Sequence, residues 1–253
     1  MNPHIVVPAL TIRTPEGGLD GQGTERYARR AASTWVDRFI LSGTTARGYS
    51  MTEQERLCVL RVWLGHTDPA RVLACCWSRA DVDNATAQRV TPLVVIPHLH
   101  NDNAALYFLA SLPAGSFIYS HPGNSPTVFD AQLCSKARSS DCLPIGAKLS
   151  KVSHREITDV RAQAGSSFMI WDGSSLDIAG SIAAGATGVV TTPLSPFTQP
   201  FPPRDLAQLQ PALDEVQAHL DRLPSREARS NHLSELAAEV VGECGGWAEP
   251  ESD

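Results

Sequence analysis

The sequence predicts an α/β protein, a (β/α)8 barrel followed by a short C-terminal helical extension. Eight short, near-continuous apolar runs are spaced along residues 5–192. Such runs are strands buried on both faces, as in a parallel sheet covered by helices. The stretches between most of them carry apolar residues at helical spacing, and alternating β and α units predict a parallel sheet. At 253 residues the chain has the length such a barrel needs as one domain. The expected division is a barrel over 1–195, a helical extension over 196–241 packed on it, and a disordered tail over 242–253.

The elements follow in order. The first strand is expected at 5–10 and its helix at 24–36. The second strand, 39–42, leads through Gly43-Thr44-Thr45 to a helix over 52–64. Thr52, followed three residues later by Glu55, is a capping box that marks where this helix begins. The third strand is 72–76, and only residues 77–92 separate it from the fourth, 93–97, so a reduced or irregular helix is expected there. A helix over 102–112 leads to the fifth strand, 116–120, and a helix over 127–137 to the sixth, 144–148. A helix over 153–164 precedes the seventh strand, 168–171, and a short one rich in small residues, 174–184, precedes the eighth, 188–192. A proline-rich link over 193–203 then gives way to two amphipathic helices, 205–223 and 226–241.

Three of these strands end in residues with chemistry. Leu143-Pro144-Ile145-Gly146-Ala147-Lys148 is an apolar run closed by one amine. Burial disfavours an ammonium and makes the free amine available, and a free amine attacks ketones to form a Schiff base. The alternative is a packed stem whose charged head reaches water. Gly43-Thr44-Thr45 is ordinary turn chemistry, yet at a strand end its hydroxyls and N–H groups suit a carboxylate. Tyr119 closes the fifth strand ahead of His121-Pro122-Gly123-Asn124, where a tyrosine can also be a rim residue with its hydroxyl in water. Active sites of these barrels lie at the C-terminal strand ends, where Thr44, Thr45, Tyr119, Lys148, Gly173 and Val190 are all expected to fall.

Taken together the segments resemble the dihydrodipicolinate synthase / N-acetylneuraminate lyase family of class I aldolases. Gly43-Thr44-Thr45 matches the start of that family's Gly-Thr-Thr-Gly-Glu turn, Tyr119 and Pro122 match its Tyr-Asn-x-Pro motif, and Gly146-Ala147-Lys148 matches its Gly-x-Lys. Residues 168–173 and 185–190 are similar to its seventh and eighth strands, and Thr14-Pro15 with Gly18-Leu19-Asp20 to its opening stretch. The likeness covers roughly residues 5–195, in order.

The resemblance implies a lyase or aldolase that takes pyruvate or a related 2-oxo acid, together with an aldehyde or its adduct. Lys148 would form the imine, Thr44 and Thr45 would hold the carboxylate, Tyr119 would move protons, and the backbone near Gly173 and Val190 would line the pocket floor. It implies no cofactor, and a homo-oligomer, dimer or tetramer. The chain also departs from the pattern. The family's synthases end their fourth strand in Pro-Tyr-Tyr, where this chain has Pro97-His98-Leu99; they carry an arginine where Asn124 stands; and the turn's glutamate is Arg47. The expectation is therefore a different reaction from dihydrodipicolinate synthesis. His98 or His121 is a candidate for the missing acid or base, with His100 nearby, and Arg47 for a second anion site or an exposed ion pair. A silent barrel with a 2-oxo-acid-binding, structural or regulatory role, and a Schiff-base dehydratase or decarboxylase, are the alternatives.

Composition narrows the partners. Lysine plus arginine is 21 and aspartate plus glutamate 27, a formal charge of −6, with no basic run, which argues against nucleic acid and anionic membrane. The six cysteines show no C-x-x-C spacing, so reduced thiols and no metal site are expected, in a cytoplasmic protein. No signal peptide is read at the N-terminus, and no apolar stretch approaches the about 18 residues of a membrane span.

Overall fold

The computed structural model describes residues 3–243. Its sheet is a closed barrel of eight parallel strands in sequential order, the (β/α)8 or TIM barrel that the sequence predicts. The first four are β1 (His4–Pro8), β2 (Arg38–Leu41), β3 (Val72–Cys76) and β4 (Thr91–Val95). The rest are β5 (Phe117–Ser120), β6 (Gly146–Leu149), β7 (Met169–Asp172) and β8 (Gly188–Val190). β1 pairs with β8 and closes the ring, which leaves no free edge.

The helices that cover the ring are α1 (Gly21–Ala32), α2 (Glu53–Leu64), α3 (Arg79–Ala87), α4 (Asp102–Ala110), α5 (Ala131–Ser139), α6 (His154–Ala164), α7 (Ile178–Ala183) and α8 (Leu206–Asp221). A further helix, α9 (Arg226–Glu243), follows. The Thr52–Glu55 capping box is present at α2. The third unit has a short helix, as expected, but not an irregular one: α3 spans 9 residues, and Ser78 and Asp81 form its own capping box. The tail expected over 242–253 begins inside α9, which runs to Glu243; residues 244–253 lie outside those described.

Period-2 alternation divides the strand residues. Val6, Ile40, Leu73, Cys75, Leu93, Phe117, Tyr119, Trp171 and Val190 fill the barrel interior as one buried cluster. Phe117 stacks on Trp171 with centroids 4.2 Å apart. Gly146 is in register with Phe117 on one side and Met169 on the other, and a Cβ there would meet Phe117 Cε1 at 2.3 Å and the Met169 carbonyl at 2.6 Å. The glycine of Gly146-Ala147-Lys148 is thus demanded by packing, and the same alternation turns Lys148 to the interior one layer higher. α9 carries Leu233, Ala237 and Val241, spaced four apart, into the cluster that also holds Leu10, Ile12 and Met51. It lies against α1 and brings its first turns to the C-terminal end of the barrel.

No helix among the described residues is long and apolar enough to cross a membrane. The described cysteines, Cys58, Cys75, Cys76, Cys134 and Cys142, are all free. Burial pushes the Cys75 thiol up to about 12, so it packs as an apolar group.

Candidate active site

A cavity of about 470 Å³ opens at the C-terminal end of the barrel. Lys148, Tyr119, Thr44, Thr45, Gly173 and Val190, the six residues read as catalytic or substrate-binding, all line it, and so does His121. Lys148 lies inside β6 rather than at its very end, and only 5% of it is exposed. Its Nζ stands 4.1 Å from the centroid of the Tyr119 ring, its direct partner across β5 and β6. The Tyr119 hydroxyl shares a hydrogen bond of 3.0 Å with Thr44 Oγ1. No acidic side chain pairs with Lys148 among the described residues, so the amine is held by an apolar stem pocket and an aromatic face.

The Gly-Thr-Thr turn is fixed by a set of nearby contacts. Ser42 and Arg47 adopt left-handed backbone with φ 53° and 55°, a conformation that costs energy in side-chain-bearing residues. Gly48 closes the turn by donating its N–H to the Gly43 carbonyl at 2.9 Å, and a Cβ on Gly48 would lie 1.6 Å from the Ser42 carbonyl oxygen. The Trp77 indole N–H donates to that Ser42 carbonyl at 2.8 Å. Beneath the turn a buried ion pair joins Arg56 Nε to Asp81 at 2.9 Å, and the same guanidinium donates to the Gly48 carbonyl at 3.1 Å. α9 lies across the top, with the Ser230 hydroxyl donating to the Thr45 carbonyl at 2.6 Å.

Gly173 is a second close approach. Its N–H donates to the Leu149 carbonyl at 2.6 Å, and a Cβ would meet Ser150 Oγ at 2.3 Å. Asp172, just before it, is buried; burial pushes its carboxyl above the usual range, offset by hydrogen bonds from the Ser181 hydroxyl at 2.6 Å and the Ser174 N–H at 3.0 Å.

The other candidates divide. His121 faces the cavity, and burial, followed by the charges of Arg226, Lys148 and Lys151, lowers its pKa to about 4. Its Nδ1 accepts the Gly123 N–H at 2.9 Å, and Arg226 Nη2 lies 3.2 Å from Nε2. A ring with a donor at each nitrogen and cations around it is neutral at physiological pH. His98 and His100 are exposed and stand together, centroids 5.4 Å apart, in a separate cleft beside α4 and α5. Beyond Pro97 the chain turns outward, and the Leu99 N–H donates to Thr127. Arg47 pairs with Glu227 at 3.4 Å and with Asn231, which ties the turn to α9 and keeps it out of the main cavity. Asn124 is half-buried in the turn after His121 and does not line the cavity.

Some lining residues went unread in the sequence: Lys151, left-handed at φ 58°, and Arg226 and Arg229 of α9. Their one signal was the basic start of the last amphipathic helix, which alone is an ordinary solvated face.

No protein-family model and no curated protein matches the sequence. Solved structures do. A dihydrodipicolinate synthase family protein from Coccidioides immitis superposes with a TM-score of 0.75 at 20% identity, over 95% of this chain and 85% of that one. Dihydrodipicolinate synthase from Thermotoga maritima gives 0.65 at 17% identity, over 99% and 85%. The sialic acid aldolase of Ruminococcus gnavus gives 0.69 at 15% identity, over 92% and 79%. This chain shares their fold.

Proposed function

We propose that this barrel belongs to the dihydrodipicolinate synthase / N-acetylneuraminate lyase family and is a Schiff-base lyase or aldolase that acts on pyruvate or a related 2-oxo acid. One observation carries the reading: a buried amine, Lys148, on the face of a tyrosine whose hydroxyl is bound to a threonine, inside a strand-end cavity. The Lys148 lone pair attacks the ketone carbon, a C–N bond forms, and a proton passes from nitrogen to the former carbonyl oxygen. A further proton delivered to the carbinolamine hydroxyl lets it leave as water, and the nitrogen lone pair forms the C=N bond of the protonated imine. Breaking a bond at C3 then sends its electron pair toward the imine nitrogen and leaves an enamine. Tyr119 carries protons in these steps and Thr44 orients its hydroxyl. The Thr44-Thr45 turn receives the 2-oxo acid carboxylate through hydroxyl and N–H donors.

Dihydrodipicolinate synthesis itself is not the proposed reaction. Leu99 has no proton to relay, and Asn124 has no charged fork for a carboxylate. A silent barrel would leave the burial of Lys148 without a purpose, because a buried amine is a cost that packing alone does not require.

Borohydride trapping with a panel of 2-oxo acids, read by intact mass, tests the reading. An adduct that disappears in Lys148→Ala while the fold is retained is the expected result. Failure of every acid to give an adduct, or an adduct on Lys136 or Lys151 instead, overturns it.

A further inference from the structure

We infer that the mouth of the Lys148 cavity holds a second anion subsite, built by Arg226 and Arg229 of α9 together with Lys151. The 2-oxo acid taken by the site then carries another anionic group, a carboxylate or a phosphate, at its far end. For the near end this inference rests on the Schiff-base reading.

Three cationic side chains, Lys151, Arg226 and Arg229, join the Lys148 amine in lining this one cavity, and no aspartate or glutamate among the described residues does. The chain as a whole carries an excess of acid, at −6. Gathering like charges at one cleft turns a positive field on whatever enters. Among the described residues neither Lys151 nor Arg226 has a carboxylate within 4.0 Å. Arg229 has one, Asp221 at 3.7 Å, and its Nε is buried with no hydrogen-bond partner.

His121 sharpens the point. Arg226 Nη2 lies 3.2 Å from its Nε2, while its Nδ1 already accepts from Gly123 at 2.9 Å. A neutral imidazole has one nitrogen able to accept, so it cannot satisfy both donors. The guanidinium is left short of an acceptor, and a carboxylate or phosphate supplies two oxygens in the geometry of its fork.

The spacing suits an acyclic substrate. From the Lys148 amine to the Tyr119 centroid is 4.1 Å, from there to the His121 centroid 5.9 Å, and Arg226 Nη2 lies 3.2 Å from His121 Nε2. With two rings standing between Lys148 and Arg226 in this chain of contacts, the ketone end and the far anion belong to different parts of the substrate. The subsite comes from α9, not from the loop after β5 where Asn124 stands.

The test is borohydride trapping titrated with 2-oxoglutarate and with its 5-methyl ester, which stays open-chain and keeps the ketone. The two share length and ketone and differ in far-end charge. Wild type is expected to half-saturate at a concentration about tenfold or more lower with the diacid, the scale of a charge-assisted hydrogen bond. R226Q and R229Q should each shrink that preference, and the double variant should remove it. R155Q, which deletes a 91%-exposed cation on α6, should keep it. If R229Q fails to fold, R226Q alone decides, since Arg226 is exposed. Running 4-phosphono-2-oxobutanoate beside these assigns the subsite: stronger arginine dependence for the phosphonate means phosphate, for the diacid carboxylate, and either supports the subsite. Adducts that form equally well from diacid and ester in wild type, or a preference untouched in the double variant, overturn it. If no acid forms an adduct, the Schiff-base reading fails separately. Calorimetry with glutarate, which has no ketone, then decides the subsite: binding lost in the double variant supports it, and no binding by wild type overturns it.

Discussion

The Lys148 amine stands 4.1 Å above the Tyr119 ring, and that ring's hydroxyl is bound to Thr44 at 3.0 Å. Lys148 and Tyr119 are in direct register on neighbouring strands, while Thr44 comes from a turn 75 residues before the tyrosine. A parallel barrel brings such distant strand ends to one rim, and side-chain alternation aims them at one point. The aromatic face packs against the amine, and the hydroxyl at the ring's edge is placed to act on a group being built on it.

Tyr119→Phe separates these two roles. It keeps the ring under the amine and removes the proton carrier. The rate of imine formation with pyruvate, followed by trapping, should fall about 10²- to 10⁴-fold. Stability should drop by no more than about 1.5 kcal/mol, the net worth of one hydrogen bond. A variant that traps pyruvate at the wild-type rate would remove Tyr119 from the chemistry.

Gly146→Ala should damage the site from below. The added methyl meets Phe117 and the Met169 carbonyl well inside contact distance, and the carbonyl cannot step aside without moving β7. A cost of about 1–3 kcal/mol is expected from overpacking, seen as a lower urea midpoint. An unchanged midpoint would show that the Phe117–Trp171 stack yields easily.

Local signals were legible and distant ones were not. The run at 72–76 is β3 to the residue, and Thr52 and Glu55 cap α2 as their spacing predicts. The Gly-Thr-Thr, Tyr and Gly-x-Lys segments meet in one cavity because strand order and strand ends suffice to place them. The short third unit looked irregular because Ser78 and Asp81 were not read as a cap. His98 looked close to the mouth because its sequence position follows a strand, yet the chain leaves the rim at Pro97. The contacts of α9 to the turn span 180 to 185 residues, and periodicity holds no record of such pairings.

The Arg56–Asp81 pair is the support under the threonine turn. Both side chains are buried, at 9% and 6% exposed, and Asp81 also accepts the Trp77 and Ser78 N–H groups. Asp81→Ala should destabilise by about 3–5 kcal/mol, because it strands a buried guanidinium. Arg56→Leu combined with Asp81→Ala should cost less than the sum of the single changes, since no lone charge is left. Strict additivity in a chemical-denaturation cycle would show the pair to be independent.

His121 should make stability depend on pH in the weakly acidic range. Its pKa is lowered to about 4 from 6.5, by burial first and then by Arg226, Lys148 and Lys151. On acidification the unfolded ring takes up its proton near pH 6.5, the folded ring only near pH 4. Between those values the unfolded state binds more protons, so stability falls as pH is lowered through the window and levels off below it. His121→Gln removes the titrating group and should flatten this part of the melting-temperature profile relative to wild type. Curves that stay parallel from pH 7 to about pH 4 would mean that the ring is protonated in the folded state, which its two facing donors, Gly123 and Arg226, argue against.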